Sequence, residues 1–152
     1  MDVWFYHLTT QPLEKALPTL LERSIERGWT AVVQMSSQER LTALDNFLWT
    51  YAEESFLAHG TAADGDPELQ HVYLTTGPEN PNEAEVRFFI ESARVSPILD
   101  GGGVYERIVV MFDGNNDEEL QAARAQWKEL KAKELELSYW QQDENGAWAK
   151  KA

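Results

Sequence analysis

An open, mostly parallel and twisted α/β sheet with helices on both faces, Rossmann-like in layout, is the fold class this sequence predicts. Short apolar runs alternate with amphipathic stretches from the first residues onward. The runs are apolar nearly throughout, as strands covered on both faces must be. A chain of 152 residues with 43% hydrophobic content can fill one core, and is too short for two ordinary domains. A single three-layer domain over residues 1–152 is therefore expected, with right-handed crossovers between its parallel strands.

Residues 3–8, aromatic and β-branched, read as the first strand. An amphipathic stretch over 13–27 follows and closes at Gly28, a natural C-terminal cap. Pro18 lies inside it without the amide hydrogen that a helix interior needs, so two readings stand: a kink there, or a regular helix that begins near Pro18 after a looser turn. Residues 30–35 form the second strand. Ser36 and Glu39 have the spacing of a capping box, which predicts a helix from near Ser37 to Tyr51. Leu41, Leu44, Leu48 and Tyr51 make its core-facing stripe, with Phe47 at the edge.

The middle of the chain is less regular. Residues 58–69, rich in Gly, Asp and Ala, read as a surface loop. Residues 71–75 and 86–91 are strand candidates on either side of the turn-rich 77–82, and the second of them suits a sheet edge. Residues 96–103 read as another loop. Residues 107–112 are short, apolar and bounded by Asp113 and Gly114, which fits a buried central strand. Over 117–134, Asp117, Glu118 and Glu119 at the start and Lys128, Lys131 and Lys133 towards the end match the helix dipole. Residues 137–142 add a last strand, and 143–152 read as a polar tail that carries Trp148.

Composition narrows the function. A formal net charge of -13 opposes direct binding along a phosphate backbone, so any service to nucleic acid is expected to run through other proteins. Without cysteine there is no disulfide framework, thiolate metal site or cysteine nucleophile. No apolar run approaches a membrane span and the N-terminus reads as a strand, so a cytoplasmic protein is expected. His7, His59 and His71 have no metal-ligand spacing, and the glycines at 101–103 precede a strand where a phosphate loop would follow one. No cofactor or metal is expected. Asp113 and Asp117 stand at the carboxyl end of the central strand, where open α/β sheets place ligands. That leaves a nucleotide-binding or metal-dependent hydrolase, with Asp113 as its carboxylate, as the alternative to turn formation and helix capping.

Two aromatic features stand out. Trp49 lies about 120° from the centre of its helix's apolar stripe, and Phe56 follows in a segment too short for another ordinary helix. Either Trp49 folds back under the loop as a satellite of the core, or Trp49 and Phe56 anchor a protein interface. In the last helix, Leu120, Ala123, Trp127 and Leu130 mark the buried stripe, with Arg124, Lys128 and Lys131 along its flank. A cation strip beside an indole suits a carboxylate with an apolar neighbour, as at an acidic peptide end. The alternative is a core tryptophan beside a solvated face.

Phe47-Leu48-Trp49, the stretch from Glu54 through Ser55, Phe56 and His59 to Gly60, Val109 to Gly114, Ala123-Arg124 and Trp127-Lys128, in this order, resemble the chi subunit of bacterial DNA polymerase III. Phe5-Tyr6-His7-Leu8 and the region of Trp140 are similar too, so the resemblance covers nearly the whole chain. It implies a non-catalytic accessory subunit of the clamp-loader complex in DNA replication. Such a subunit pairs with psi, which tethers it to the clamp loader, and binds the acidic C-terminal tail of the single-stranded-DNA-binding protein. By position, Trp49 and Phe56 match the psi-binding anchors, and Arg124, Trp127 and Lys128 the tail-binding surface. Leu120 stands where relatives often carry a basic residue, so the tail site is expected either to be weaker or to recruit Lys131 instead. Ala58 replaces a frequent proline.

Overall fold

The computed structural model describes residues 1–50 and 59–152. Its sheet has seven strands: β1 (Asp2–Leu8), β2 (Ala31–Gln34), β3 (Val72–Thr75), β4 (Val86–Phe89), β5 (Arg107–Asp113), β6 (Glu136–Gln142) and β7 (Trp148–Lys150). The order across it is β3-β2-β4-β5-β1-β6-β7, parallel throughout except that β7 runs antiparallel to β6. Among the described residues four α-helices connect the strands: α1 (Leu13–Glu26), α2 (Gln38–Thr50), α3 (Ser96–Asp100) and α4 (Asp117–Ala132).

Side-chain alternation sorts the core into two layers. Tyr6 and Leu8 of β1 and Val109 and Met111 of β5 pack under α1 and α2, with Leu17, Leu21, Leu44 and Leu48. Val3 and Phe5, with Ile108, Val110 and Phe112, face α3 and α4, where Ile98, Ala123 and Leu130 meet them. Helices thus cover both faces. The helix after β1 and the helix after β5 lie on opposite faces, so the topological switch point falls between these neighbouring strands.

Local details refine the sequence reading. Helix α1 runs unbroken through the buried Pro18. The hydrogen bond lost there concerns the carbonyl of Glu14 in the first turn, where little of the ladder precedes it. Its end is a Schellman motif: Gly28, at φ +86°, donates to Ile25, and Trp29 donates to Ser24. The expected Ser36 capping box does not form. Ser37 caps α2, its hydroxyl accepting from the Arg40 amide at 3.2 Å. The carboxylate of Glu91, beyond β4, accepts from the amides and hydroxyls of both Ser36 and Ser37 at 2.9–3.2 Å. Burial opposes ionisation of Glu91, but these bonds and the Arg40 charge outweigh it and hold its carboxyl below the usual range.

Strand β4 is not an edge: it lies between β2 and β5 with all four residues buried. Its Arg87 is fully buried and donates to Gln34 Oε1, the carbonyls of Gly77 and Glu79 and the Tyr105 hydroxyl, and so anchors the 77–82 turn from inside. The expected loop at 96–103 opens with α3, whose Pro97 sits in its first turn, where proline is tolerated. The 58–69 region contains two 3₁₀ turns, Ala62–Asp64 and Pro67–Leu69. The predicted polar tail is folded as well: β7 pairs with β6, and Trp148 packs edge-on against Tyr6 with ring centroids 4.7 Å apart.

Candidate functional site

Helix α4 and strand β6 frame a cleft of about 730 Å³. Asn116 starts the helix, its side-chain oxygen accepting from the Glu119 amide at 3.1 Å. Ala123 and Leu130 are buried against the sheet, while Arg124 and Lys128 remain exposed. Trp127 serves both readings made from its spacing. One edge packs on Phe5 at 5.2 Å between centroids, and the half-buried ring also walls the cleft. Phe112 and Tyr139 form the rest of the aromatic lining, with Arg124 and Lys128 as its cations and no Asp or Glu side chain among the lining residues. Lys131 is exposed and is not part of the lining. Leu120 packs partly buried against the α4-side core.

The cleft floor continues into a histidine that spacing could not place. His7 Nδ1 is hydrogen-bonded to the Tyr139 hydroxyl at 2.6 Å, and its ring lies 4.9 Å from Phe112. Burial, then the Arg124 charge, pushes the His7 pKa down against the opposing charge of Asp113. Burial raises that of Tyr139 while Arg124 lowers it. Gly114 is required at its position, because a methyl group there would overlap the His7 ring. Residues 151–152 pair with Tyr139 beyond β7 and bring Ala152 to the cleft rim.

On the other face, Trp49 is 49% exposed near the end of α2, with its ring 4.3 Å from that of His59. His59 is buried and its Nε2 lies 3.0 Å from the Asp45 carbonyl oxygen. Phe56 falls outside the described residues. Trp49 and the α4 cleft therefore belong to helices that cover opposite faces of the sheet.

The switch point holds a second cleft, about 330 Å³, lined by Leu8, Met111, Asp113, Glu14, Glu91, Glu119 and Arg40 among others. Asp113 uses Oδ1 to accept from the Asn115 amide at 2.9 Å, which is turn formation. Arg40 is engaged by Glu14 at 3.4 Å and Glu91 at 3.6 Å. Burial and the neighbouring Asp113 charge push the Glu119 carboxyl up. An anionic cleft of this kind opposes a phosphate. His7, His59 and His71 do not converge, and among the described residues no group of three His, Cys, Asp or Glu side chains is placed to hold a metal. No helix among them is long and apolar enough to cross a membrane.

The chain is thus an α/β protein whose switch-point cleft is anionic and whose aromatic, cation-lined cleft lies along its last long helix. The model of the family described as DNA polymerase III chi subunit, HolC, matches residues 1–138. The probable DNA polymerase III subunit chi of Rickettsia prowazekii (strain Madrid E) is 29% identical over 111 residues, covering 71% of this chain and 67% of that protein. The chain belongs to the DNA polymerase III chi-subunit family and thus to the accessory proteins of DNA replication.

Proposed function

We propose that this chain is a non-catalytic adaptor that joins the clamp loader, through the psi subunit, to the acidic C-terminal tail of the single-stranded-DNA-binding protein. The observation that carries the proposal is the cleft beside α4, where Arg124 and Lys128 stand over Trp127, Phe112 and Tyr139. A guanidinium takes a carboxylate through two parallel bonds, and the aromatic walls take an apolar side chain beside it. Trp49, half exposed on the opposite helical layer, supplies the anchor for psi. Phe56 joins it on the family resemblance alone. Separation of the two surfaces lets one domain hold both proteins at once.

Trp49→Ala should abolish copurification with psi while leaving binding of an acidic tail peptide intact. A variant that keeps psi at parental levels would remove Trp49 from the interface. The peptide's affinity should fall with added salt, because its contacts to Arg124 and Lys128 are ionic.

A further inference from the structure

The arginines of this chain are unevenly matched. Arg40 and Arg94 reach carboxylates, and Arg87 is satisfied by carbonyls, an amide oxygen and a hydroxyl. Arg124 belongs to the α4 cleft. The other three, Arg23, Arg27 and Arg107, have no carboxylate within 4.0 Å among the described residues. All three line one pocket of about 310 Å³. In a chain with twice as many acids as bases, three guanidiniums gathered in one place without a carboxylate in contact, Asp2 acting on Arg107 only from further off, call for a ligand.

The pocket lies on the α1 side of the sheet, at the amino ends of β4 and β5 and beneath the last turns of α1. The Schellman turn at Gly28 delivers Trp29 to it. Arg107 stacks over Trp4 at 3.6 Å from the ring centroid and lies 5.2 Å from that of Trp29, which Arg27 covers at 4.8 Å. Stacking of this kind fixes the guanidinium planes and leaves their N–H edges directed for recognition. Phe88, Val109 and Leu20 provide an apolar floor. Burial, then repulsion from Arg27, lowers the Arg107 pKa, a stress that an incoming anion would relieve. Glu26 on the rim and the roughly half negative charge of the α1 terminus leave the pocket net cationic.

We propose that this pocket binds a phosphorylated nucleoside, its phosphate held by Arg23, Arg27 and Arg107 and its base laid on the apolar floor beside Trp29. Several convergent guanidiniums suit the three oxygens of a terminal phosphate, whereas one fork already satisfies a carboxylate. The volume is at the lower end of small-ligand pockets, on the order of 300 Å³. The overall charge opposes tracking of a long backbone but acts weakly on one compact phosphate, since it is screened over about 8 Å at physiological ionic strength. The same chemistry has two sources, a free nucleotide or the 5′-phosphorylated end of a strand.

The test is calorimetric titration of the full chain with ADP, with a short 5′-phosphorylated oligothymidylate and with an acidic peptide. Binding of ADP or the oligonucleotide, weakened at least tenfold in the Arg23→Gln/Arg27→Gln double variant and unchanged in Arg124→Ala, is the expected result. Tighter binding of the oligonucleotide than of ADP assigns the strand end, and equal or weaker binding the free nucleotide. Both substitutions are at exposed positions, and an unchanged melting temperature shows that the fold is retained. Should the double variant melt lower, Arg107→Lys, which keeps the charge and loses the planar fork, must weaken ADP or the oligonucleotide in its place. Absence of heat with both phosphorylated probes at millimolar concentration, binding insensitive to these substitutions, or preference for the acidic peptide would overturn the proposal.

Discussion

Replacing Arg124 with alanine removes the guanidinium of the α4 cleft while leaving its aromatic walls in place. Exposed ion pairs contribute about 0.2–1 kcal/mol, and hydrogen bonds to charged groups about 1.5–3 kcal/mol. Arg124 is exposed on its outer side, yet a bound carboxylate would rest against Trp127, Phe112 and Tyr139, which displace water from it. The lower end of the second range applies, about 1.5 kcal/mol, or roughly tenfold in affinity for an acidic tail peptide. A second readout is independent of the peptide. Because the Arg124 charge lowers the His7 pKa, its removal should raise it, which imidazole proton shifts in an NMR titration would report. Unchanged peptide affinity by calorimetry would refute the placement of the tail in this cleft. An unchanged His7 titration would refute the electrostatic link between helix and floor.

Two further substitutions probe the frame that positions the clefts. Glu91→Ala strips the Ser36 and Ser37 donors of their acceptor and should cost about 1.5–3 kcal/mol in urea unfolding near neutral pH. Since the folded Glu91 carboxyl lies below its unfolded value of about 4.3, its contribution is complete above that value and lost as pH falls through the lowered one, so parent and variant should converge in acid. A constant difference down to the acid transition would count against it. Arg87→Met leaves the Gly77 and Glu79 carbonyls and Gln34 Oε1 without their buried donor. A loss of about 3 kcal/mol or more is expected, and a variant as stable as the parent would contradict the satisfied-network account.

The α/β class, both helical layers, and the Arg124, Trp127 and Lys128 cluster were legible because each is written in local periodicity. Spacing along α4 places these three side chains together without knowledge of anything else. What escaped was set by partners distant in sequence. Ser36 looked like a cap, but the carboxylate that bonds it arrives from Glu91, 55 residues on. Residues 86–91 suited an edge, and only the carbonyls of Gly77 and Glu79 show how an arginine is satisfied inside a central strand. Tyr139 and His7 meet across 132 residues, so neither alone carried a signal for the cleft. Alternation does put Phe112 on the face of Ile108 and Val110, yet which face α4 covers follows from the crossover and not from the strand. Trp148 shows the limit of composition: ten polar-looking residues contain one indole whose docking on Tyr6 folds the segment.

A net charge of -13 and the proposed acidic ligand make an unusual pair, and their rates should show it. Complementary proteins attract each other from a distance, so salt slows their association. On the proposed assignment the far field of the domain would repel an acidic tail, and attraction would be confined to Arg124 and Lys128 once the tail had entered the cleft. Salt shortens the Debye length from about 30 Å at 0.01 M to about 8 Å at 0.15 M. It therefore removes the distant repulsion first, while contacts within a few ångströms weaken less. Association of a labelled acidic peptide in stopped flow should stay level or quicken over that range. Dissociation should quicken more, so that affinity still falls. An association rate that drops tenfold would mean that the tail meets a cationic field larger than these two side chains supply, and the cleft beside α4 would no longer suffice as its site.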